Sequence, residues 1–572
     1  MPTLEQNLIE ELKRELELNK KHHNHGPPSS EEDDDLLPID PSSGFRYIRG
    51  PKNLDDKIAV VGAGPSGVHM ALKLKEAGFQ NVIVFEKEDK VGGKSKTLTY
   101  RDIPHEMGTC YTQADYTEVY QLLDKYDAGE LLPMPTATMW IGQKVYTRLY
   151  EKSLITEAEG RDEQTLFQVP IASYRLSSLM FSVLPAAQSL LPNATQGEIV
   201  TTFFNAIQKY MQVHIQLFGA YEGELMPRPS NDILENELNM TFLEFLKEHD
   251  IEILQNYFLL TQTTQGYGHL DEIPALYGLT WNTPSFIFQA LNPPSGEIST
   301  IKVLSQGYQA LWEAIVEQEC LNVRLSSPVM RINRRKMAGG GRKGRKDRPA
   351  FQIEYVDGPT QRRKKEPFDF VVLTTEMKLM SDLDIIDFNK EEKSRFKKMN
   401  RYYYTTSLVD TKEINGTERG LTPESYFADN INSKVDGSVW VKRDSFNSLQ
   451  YNTGANYTDN LYPGADGRFD QTSVYYQFTR ENPDKDELEN ELREHIEQRE
   501  GAEVLNLLRV FVWDYFPQFS VADIASGITW DIFEMQGKYG MWYAGSSVYF
   551  ESVKSVIEYN NLMFRQYELP QP

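Results

Sequence analysis

Hydrophobic positions first fall into a strict pattern at Lys57. "KIAVV" is a short apolar run, "VHMALKLKEAG" carries Val68, Ala71, Leu72 and Leu74 at helical spacing, and "NVIVFE" is a second apolar run. Short apolar runs flanking a 3.6-residue period predict a β-α-β unit. Upstream, Leu4 to Lys20 is rich in helix formers, with Leu8, Ile9, Leu12, Leu16 and Leu18 in an imperfect stripe. "KKHHNHGPPSS" and "EEDDDLLP" follow and read as disorder, so residues 1–55 are expected to be a partly helical tail.

Residues 131–300 read as mostly helical. "GEIVTTFFNAIQKYMQVHIQLFGAY" and "TFLEFLKEHDIEILQNYFLL" predict helices with one buried face. Leu176 to Pro192 is apolar but broken by Pro185 and serines. It is a candidate for pocket lining or peripheral membrane contact, against the plainer reading of helix packing. From residue 301 the strand-and-helix pattern returns, with "GYQALWEAIVE" a helix, "NVRLSSPVMRIN" a strand pair, and "FQIEYV" and "FDFVVLTTE" strands. The basic runs at 331–348 and 362–365 are read as solvated hairpin loops rather than binding elements. Strands and helices alternate again after 390, and the chain closes on "MWYAGS" and "ESVKSVIEYNNLMFRQY". The organisation expected is a nucleotide-binding domain from 56–130, 301–390 and 506–572, and a substrate domain from 131–300 and 391–505.

Composition narrows the function classes. The 572 residues carry a formal net charge of -23, which argues against a nucleic-acid footprint. Two cysteines, Cys110 and Cys320, permit no disulfide framework and no cysteine-based zinc motif. His22, His23 and His25 lack a matching carboxylate or cysteine, so no metal site is expected. The charged start lacks a signal core and no long apolar run appears, so a soluble cytoplasmic protein is expected. Oligomeric state is left open.

The chemistry begins in the first turn. Gly62, Gly64 and Gly67 fit G-x-G-x-x-G between a strand and a helix, and Pro65 and Ser66 complete the turn. The first glycine permits the tight turn, the second lets a pyrophosphate approach, and the third lets helix and strand pack closely. Backbone N–H groups and the helix dipole favour phosphate there. Glu86 lies 86 − 67 = 19 residues beyond Gly67, where a carboxylate accepts hydrogen bonds from a ribose. Gly92 and Gly93 allow a second close pass of the backbone, which an elongated FAD needs and a nicotinamide fold does not.

These segments resemble the flavin-containing amine oxidoreductase superfamily, and within it most the FAD-dependent polyunsaturated fatty acid double-bond isomerases. The family's arginine beside the paired glycines is Lys94 here. "HEMGTCYT" resembles the acid-x-glycine segment near the flavin ring, "VRLSSPVMRI" the strand beside the adenine, and "WYAGSSVYFESVKSVIEYNN" the C-terminal flavin motif. The resemblance implies an α/β fold: a Rossmann-like FAD-binding domain of the amine oxidase/glutathione reductase type with an interleaved α+β substrate domain. It implies cofactor contacts at Lys87, Lys94, Gly108, Thr109, Val329, Gly545, Ser546, Glu551, Ser552 and Val553, besides the glycines and Glu86. Ser546 stands where the family often has glutamate. No cysteine follows Cys320, so the FAD is expected to be non-covalent.

No second dinucleotide unit is found, so the substrate itself is expected to supply the hydride. Phe181, Trp281, Phe286, Phe288, Tyr402, Tyr403 and Tyr404 are pocket candidates, each with a plainer reading as core. The leading expectation is an enzyme that abstracts hydride at the flavin N5 from a small apolar substrate, a polyunsaturated fatty acid being the first candidate, with conjugated double bonds as product. A flavin amine oxidase or desaturase is the first alternative, and a non-catalytic flavoprotein interaction module the second.

Overall fold

The computed structural model describes residues 37–133, 137–141, 144–148, 154–157, 167–168, 190–219, 224–291, 301–334, 350–412, 424–444, 461–463 and 469–570. The stripe at Leu4 to Lys20, the three early histidines, Phe181 and the segment around it, and the basic run after Arg334 lie outside these residues.

A five-stranded parallel sheet anchors one half of the fold. Its strands are β1 (Lys57–Val61), β2 (Asn81–Phe85), β3 (Val323–Arg324), β4 (Phe370–Leu373) and β5 (Met541–Tyr543), in the order β3-β2-β1-β4-β5. Ile58, Ala59, Val60 and all of β4 are buried, which is why these strands read as continuous apolar runs rather than alternating ones. Three helices matter to the site: α1 (Pro65–Glu76), α2 (Tyr308–Gln318) and α3 (Val553–Arg565). Beside the parallel sheet stands a three-stranded antiparallel one, Val329–Arg334, Phe351–Asp357 and Arg362–Phe368.

The other half is built on a ten-stranded sheet among the described residues. Its centre is Glu503–Gln518, Asn400–Lys412, Phe469–Thr479 and Val439–Asp444, all antiparallel to their neighbours. One face of this sheet carries an aromatic cluster with Tyr404, Trp440, Tyr476 and Phe478, closed by Met107 from the first half. Helices from Gln196–Phe218 to Pro284–Leu291 pack over the main core.

Four expectations need correction. Residues 37–55 are no tail. Phe45 and Ile48 are buried, the Ile48 N–H donates to Gln566 O at 2.9 Å, and the Trp542 indole donates to Arg49 O at 2.7 Å. The described residues between 131 and 168 form strands and no helix: Ala137–Ile141, Lys144–Arg148, Leu154–Glu157 and Phe167–Gln168 extend the large sheet through Glu424–Phe427. Ala137–Trp140 pair with Glu424–Phe427, nearly three hundred positions away, a partner that local periodicity cannot reveal, and the other three strands add on as sequence-local antiparallel neighbours. The supposed strand pair at 323–334 divides between two sheets. The basic run 362–365 is a strand, with Lys364 2.8 Å from Asp357 and Lys365 2.6 Å from Glu354 across the ladder. Those cross-strand carboxylates are what make a basic strand tolerable.

Candidate functional site

The turn after β1 has the geometry that its glycines require. Gly62 has φ +104°, and its N–H donates to Phe85 O at 2.9 Å. A Cβ on Gly67 would stand 2.0 Å from Gly62 O, so only glycine lets α1 start this close to the strand. Gly64 caps α1, and Pro65 occupies its first position without wasting a donor. The second glycine pair closes over the first: a Cβ on Gly93 would lie 3.0 Å from the Gly64 Cα. Gly92 has φ +121° and its N–H donates to Ala63 O at 2.8 Å.

Glu86 is already engaged within this turn. Its Oε2 accepts the Ala63 N–H at 2.7 Å and its Oε1 the Glu88 N–H at 2.9 Å. A carboxylate has about four acceptor positions, so two remain for hydroxyls. Lys87 points outward, 74% exposed, with only Glu88 beside it at 3.7 Å, so its side chain is not part of the cradle. Val329 is half-buried at the start of its strand, opposite Tyr355.

Lys94 leaves the glycine pair and enters a buried ion cluster. Its Nζ lies 3.0 Å from Glu376 Oε1 and 2.9 Å from Glu551 Oε1. Burial alone would favour the neutral amine, but the two carboxylates outweigh it and hold the lysine firmly protonated. Two acids share one cation here, and burial together with Glu376 pushes the Glu551 carboxyl upward. Glu376 also accepts from the Ser546 hydroxyl at 3.1 Å and the Ser547 hydroxyl at 2.7 Å. Thus Ser546, where a glutamate was the family expectation, hydrogen-bonds a glutamate supplied from beyond β4. Gly545, at φ +87°, brings this segment against Thr374. The Thr375 hydroxyl, beside Gly62, is buried without a partner among the described residues.

Ser552 caps α3, accepting the Ser555 N–H at 3.0 Å, so the free N–H groups of that helix open towards Glu551. Gly108 lies under Lys94: a Cβ there would be 1.8 Å from Lys94 O, which also accepts the Thr109 N–H at 3.0 Å. Just before it, Glu106 is buried and its carboxyl accepts from the Tyr308 N–H at 2.5 Å and the Thr97 hydroxyl at 2.8 Å. It therefore sits on the N-terminus of α2. Burial pushes its pKa up to about 7 despite those donors.

An aromatic wall follows. Tyr267 stacks on Tyr515 at 5.9 Å, and Trp281 stacks on Phe550 at 5.7 Å with Phe286 behind it. Among the pocket candidates, Trp281 and Phe286 belong to this wall, and Phe288 packs half-buried against the main core. Tyr402 and Tyr404 join the aromatic cluster of the large sheet, while Tyr403 lies on the other face beside Arg401. Sequence reasoning missed Glu376, Glu106 as a side chain, and Arg443. The first carries no motif and is brought to Lys94 only by the fold.

The cradle of bare glycines, an anchored carboxylate with spare acceptor positions, and an orphaned hydroxyl beside the turn fit a dinucleotide. The profile of the family described as flavin containing amine oxidoreductase matches residues 65–409. A polyenoic fatty acid isomerase of Ptilota filicina is 21% identical over 528 residues, covering 88% of this chain and 94% of that one. The crystal structure of a CLA-producing fatty acid isomerase from P. acnes superposes with a TM-score of 0.62 at 20% identity, covering 90% of this chain and 99% of that one. Putrescine oxidase bound to putrescine superposes with a TM-score of 0.55 at 14% identity, covering 89% and 98%. Both superpositions speak for the fold.

Proposed function

The chain belongs to the flavin-containing amine oxidoreductase family, and from that premise we propose that it isomerises a polyunsaturated fatty acid to a conjugated form. At the coarser level it is a flavin-dependent oxidoreductase or isomerase. The observation that carries the finer reading is the relative matched nearly end to end, so the likeness is not confined to the cofactor segments.

In this reading FAD is held non-covalently. Gly62, Gly64 and Gly67 would leave room for the pyrophosphate, Pro65 would start α1 against it, and the N–H groups from Ser66 onward and the helix dipole would favour it. Glu86 offers its two spare acceptor positions to ribose hydroxyls. Gly92, Gly93, Gly108 and Thr109 would give the close backbone passes, and the helix start at Ser552 and Val553 would supply N–H groups to the flavin. When bound, FAD supplies hydride acceptance and return. The protein's share is to hold an allylic carbon in place and keep water out, for which the wall of Tyr267, Trp281, Tyr515 and Phe550 is suited. The acids placed here are committed: Glu106 to Tyr308 and Thr97, Glu376 and Glu551 to Lys94. A substrate ammonium would find none of them uncommitted, which favours a lipid over an amine.

The test is anaerobic incubation of the yellow, FAD-loaded protein with polyunsaturated fatty acids, following conjugated-diene absorbance. Diene growth over many turnovers without oxygen is the expected result. Peroxide formed stoichiometrically with an amine, and no diene, would make the protein an amine oxidase instead.

A further inference from the structure

Among the described residues, half-buried Lys94 and buried Lys442 and Lys554 come with carboxylates. Lys94 has Glu376 and Glu551, Lys442 has Glu500 at 3.1 Å, and Lys554 has Asp115 at 2.5 Å. Arg443 does not. It is 5% exposed, on the strand Val439–Asp444, and no ion pair to it is formed among the described residues. Its Nε and Nη2 donate to the Tyr476 hydroxyl at 3.0 and 2.8 Å, and Nη2 also donates to the backbone oxygen of Glu106 at 2.5 Å. Tyr476, Cys110 and Tyr111 lie near enough to feel its charge, and so does the Glu106 carboxyl, whose pKa that charge acts to lower. The Glu106 carboxyl is turned the other way, onto Tyr308 and Thr97.

A guanidinium removed from water without an anion is expensive, so a carboxylate brought by a ligand would relieve a real cost. The guanidinium is held in orientation by two fixed acceptors, and the outer Nη1 makes no hydrogen bond among the described residues. That leaves the two N–H groups of Nη1 for a carboxylate. Beside it lies the aromatic cluster of Tyr404, Trp440, Tyr476 and Phe478. Against it runs the segment Glu106–Tyr111, which passes under Lys94 at Gly108. A cation against an apolar face suits a molecule with an anionic head and a hydrocarbon tail.

We propose that Arg443 is the anion-recognising residue of the substrate site, receiving the carboxylate of a free fatty acid while Tyr476 and the Glu106 carbonyl hold its guanidinium in place. This rests on the lipid reading above and makes it narrower: the substrate is the free acid, not an ester or another neutral lipid.

The experiment is equilibrium binding to the FAD-loaded full chain of dodecanoate, methyl dodecanoate and dodecanol, none of which has a double bond to react. The wild type is expected to bind the acid at least about thirtyfold more tightly than either neutral analogue, the scale of a buried charge-paired hydrogen bond. In Arg443→Met that preference is expected to fall to about one, and in Tyr476→Phe to an intermediate ratio with flavin content kept. Equal binding of acid and neutral analogues by the wild type overturns this inference alone. Failure to bind any of the three overturns the lipid reading and this inference with it. Because the wild-type ratio decides the matter, a poorly folding Arg443→Met does not shield the proposal.

Discussion

Glu106 shows how one side chain serves two neighbours. Its carboxyl caps the start of α2, and its backbone oxygen holds Arg443. Burial raises its pKa from 4.5 to about 7. A carboxyl with a raised folded-state pKa binds its proton more tightly folded than unfolded. Its contribution to stability is therefore fully present below about pH 4.5 and is lost as pH rises through about 7. In Glu106→Gln, which keeps an oxygen for the Tyr308 N–H, that loss disappears. Urea midpoints measured at pH 5 and pH 8 should show the wild type falling relative to the variant on going up; a difference independent of pH would contradict the burial argument. At this scale the turn made by the glycines and the place of Glu86 beside it were legible, because they depend on backbone conformation and on spacing within a single β-α-β unit. Arg443 was not: on its strand both faces are buried, so alternation gave no sign that a charge faced the site.

Among the elements, the contact of α1 with β1 decides whether the turn exists. Alanine at position 67 would bring its Cβ to 2.0 Å from Gly62 O, whereas a Cβ at Gly197 meets nothing within 4 Å. Gly67→Ala is therefore expected to destabilise by about 3 kcal/mol or more and to lower the flavin-to-protein ratio. Gly197→Ala, in the first turn of Gln196–Phe218, should be neutral or stabilising by up to about 1 kcal/mol. Thermal unfolding together with flavin absorbance of the two purified variants checks both. The helix Gln196–Phe218 was legible, with Thr195 and Glu198 forming its capping box. The long helical pattern that follows breaks at Asp250, with φ +52°, into Phe242–Glu248 and Gln255–Thr261. Such a break depends on packing on either side, since the apolar spacing continues across it.

The whole molecule is closed by its two ends. Phe45 packs on Phe533 at 5.0 Å, Ile48 pairs with Tyr567, and Arg49 O holds the Trp542 indole. Deleting residues 1–55 removes Phe45 and Ile48 from the core and uncovers Trp542, at an expected cost of about 3 kcal/mol or more. A lower melting temperature and a red-shifted tryptophan emission are the expected readings; an unchanged protein would mean that this segment is only laid against the surface. By itself the sequence determined the nucleotide-binding turn, the parallel strands and the flavin family, because each rests on local geometry: glycines where a Cβ cannot go, an acid one strand later, apolar runs buried on both faces. Only the tertiary structure decided that Ala137–Ile141, Lys144–Arg148, Leu154–Glu157 and Phe167–Gln168 are strands, that Lys94 is shared by Glu376 and Glu551, and that Arg443 is buried with no ion pair among the described residues. Those facts depend on partners tens to hundreds of positions apart, and the burial and charge pairing that give them meaning exist only once the chain is folded.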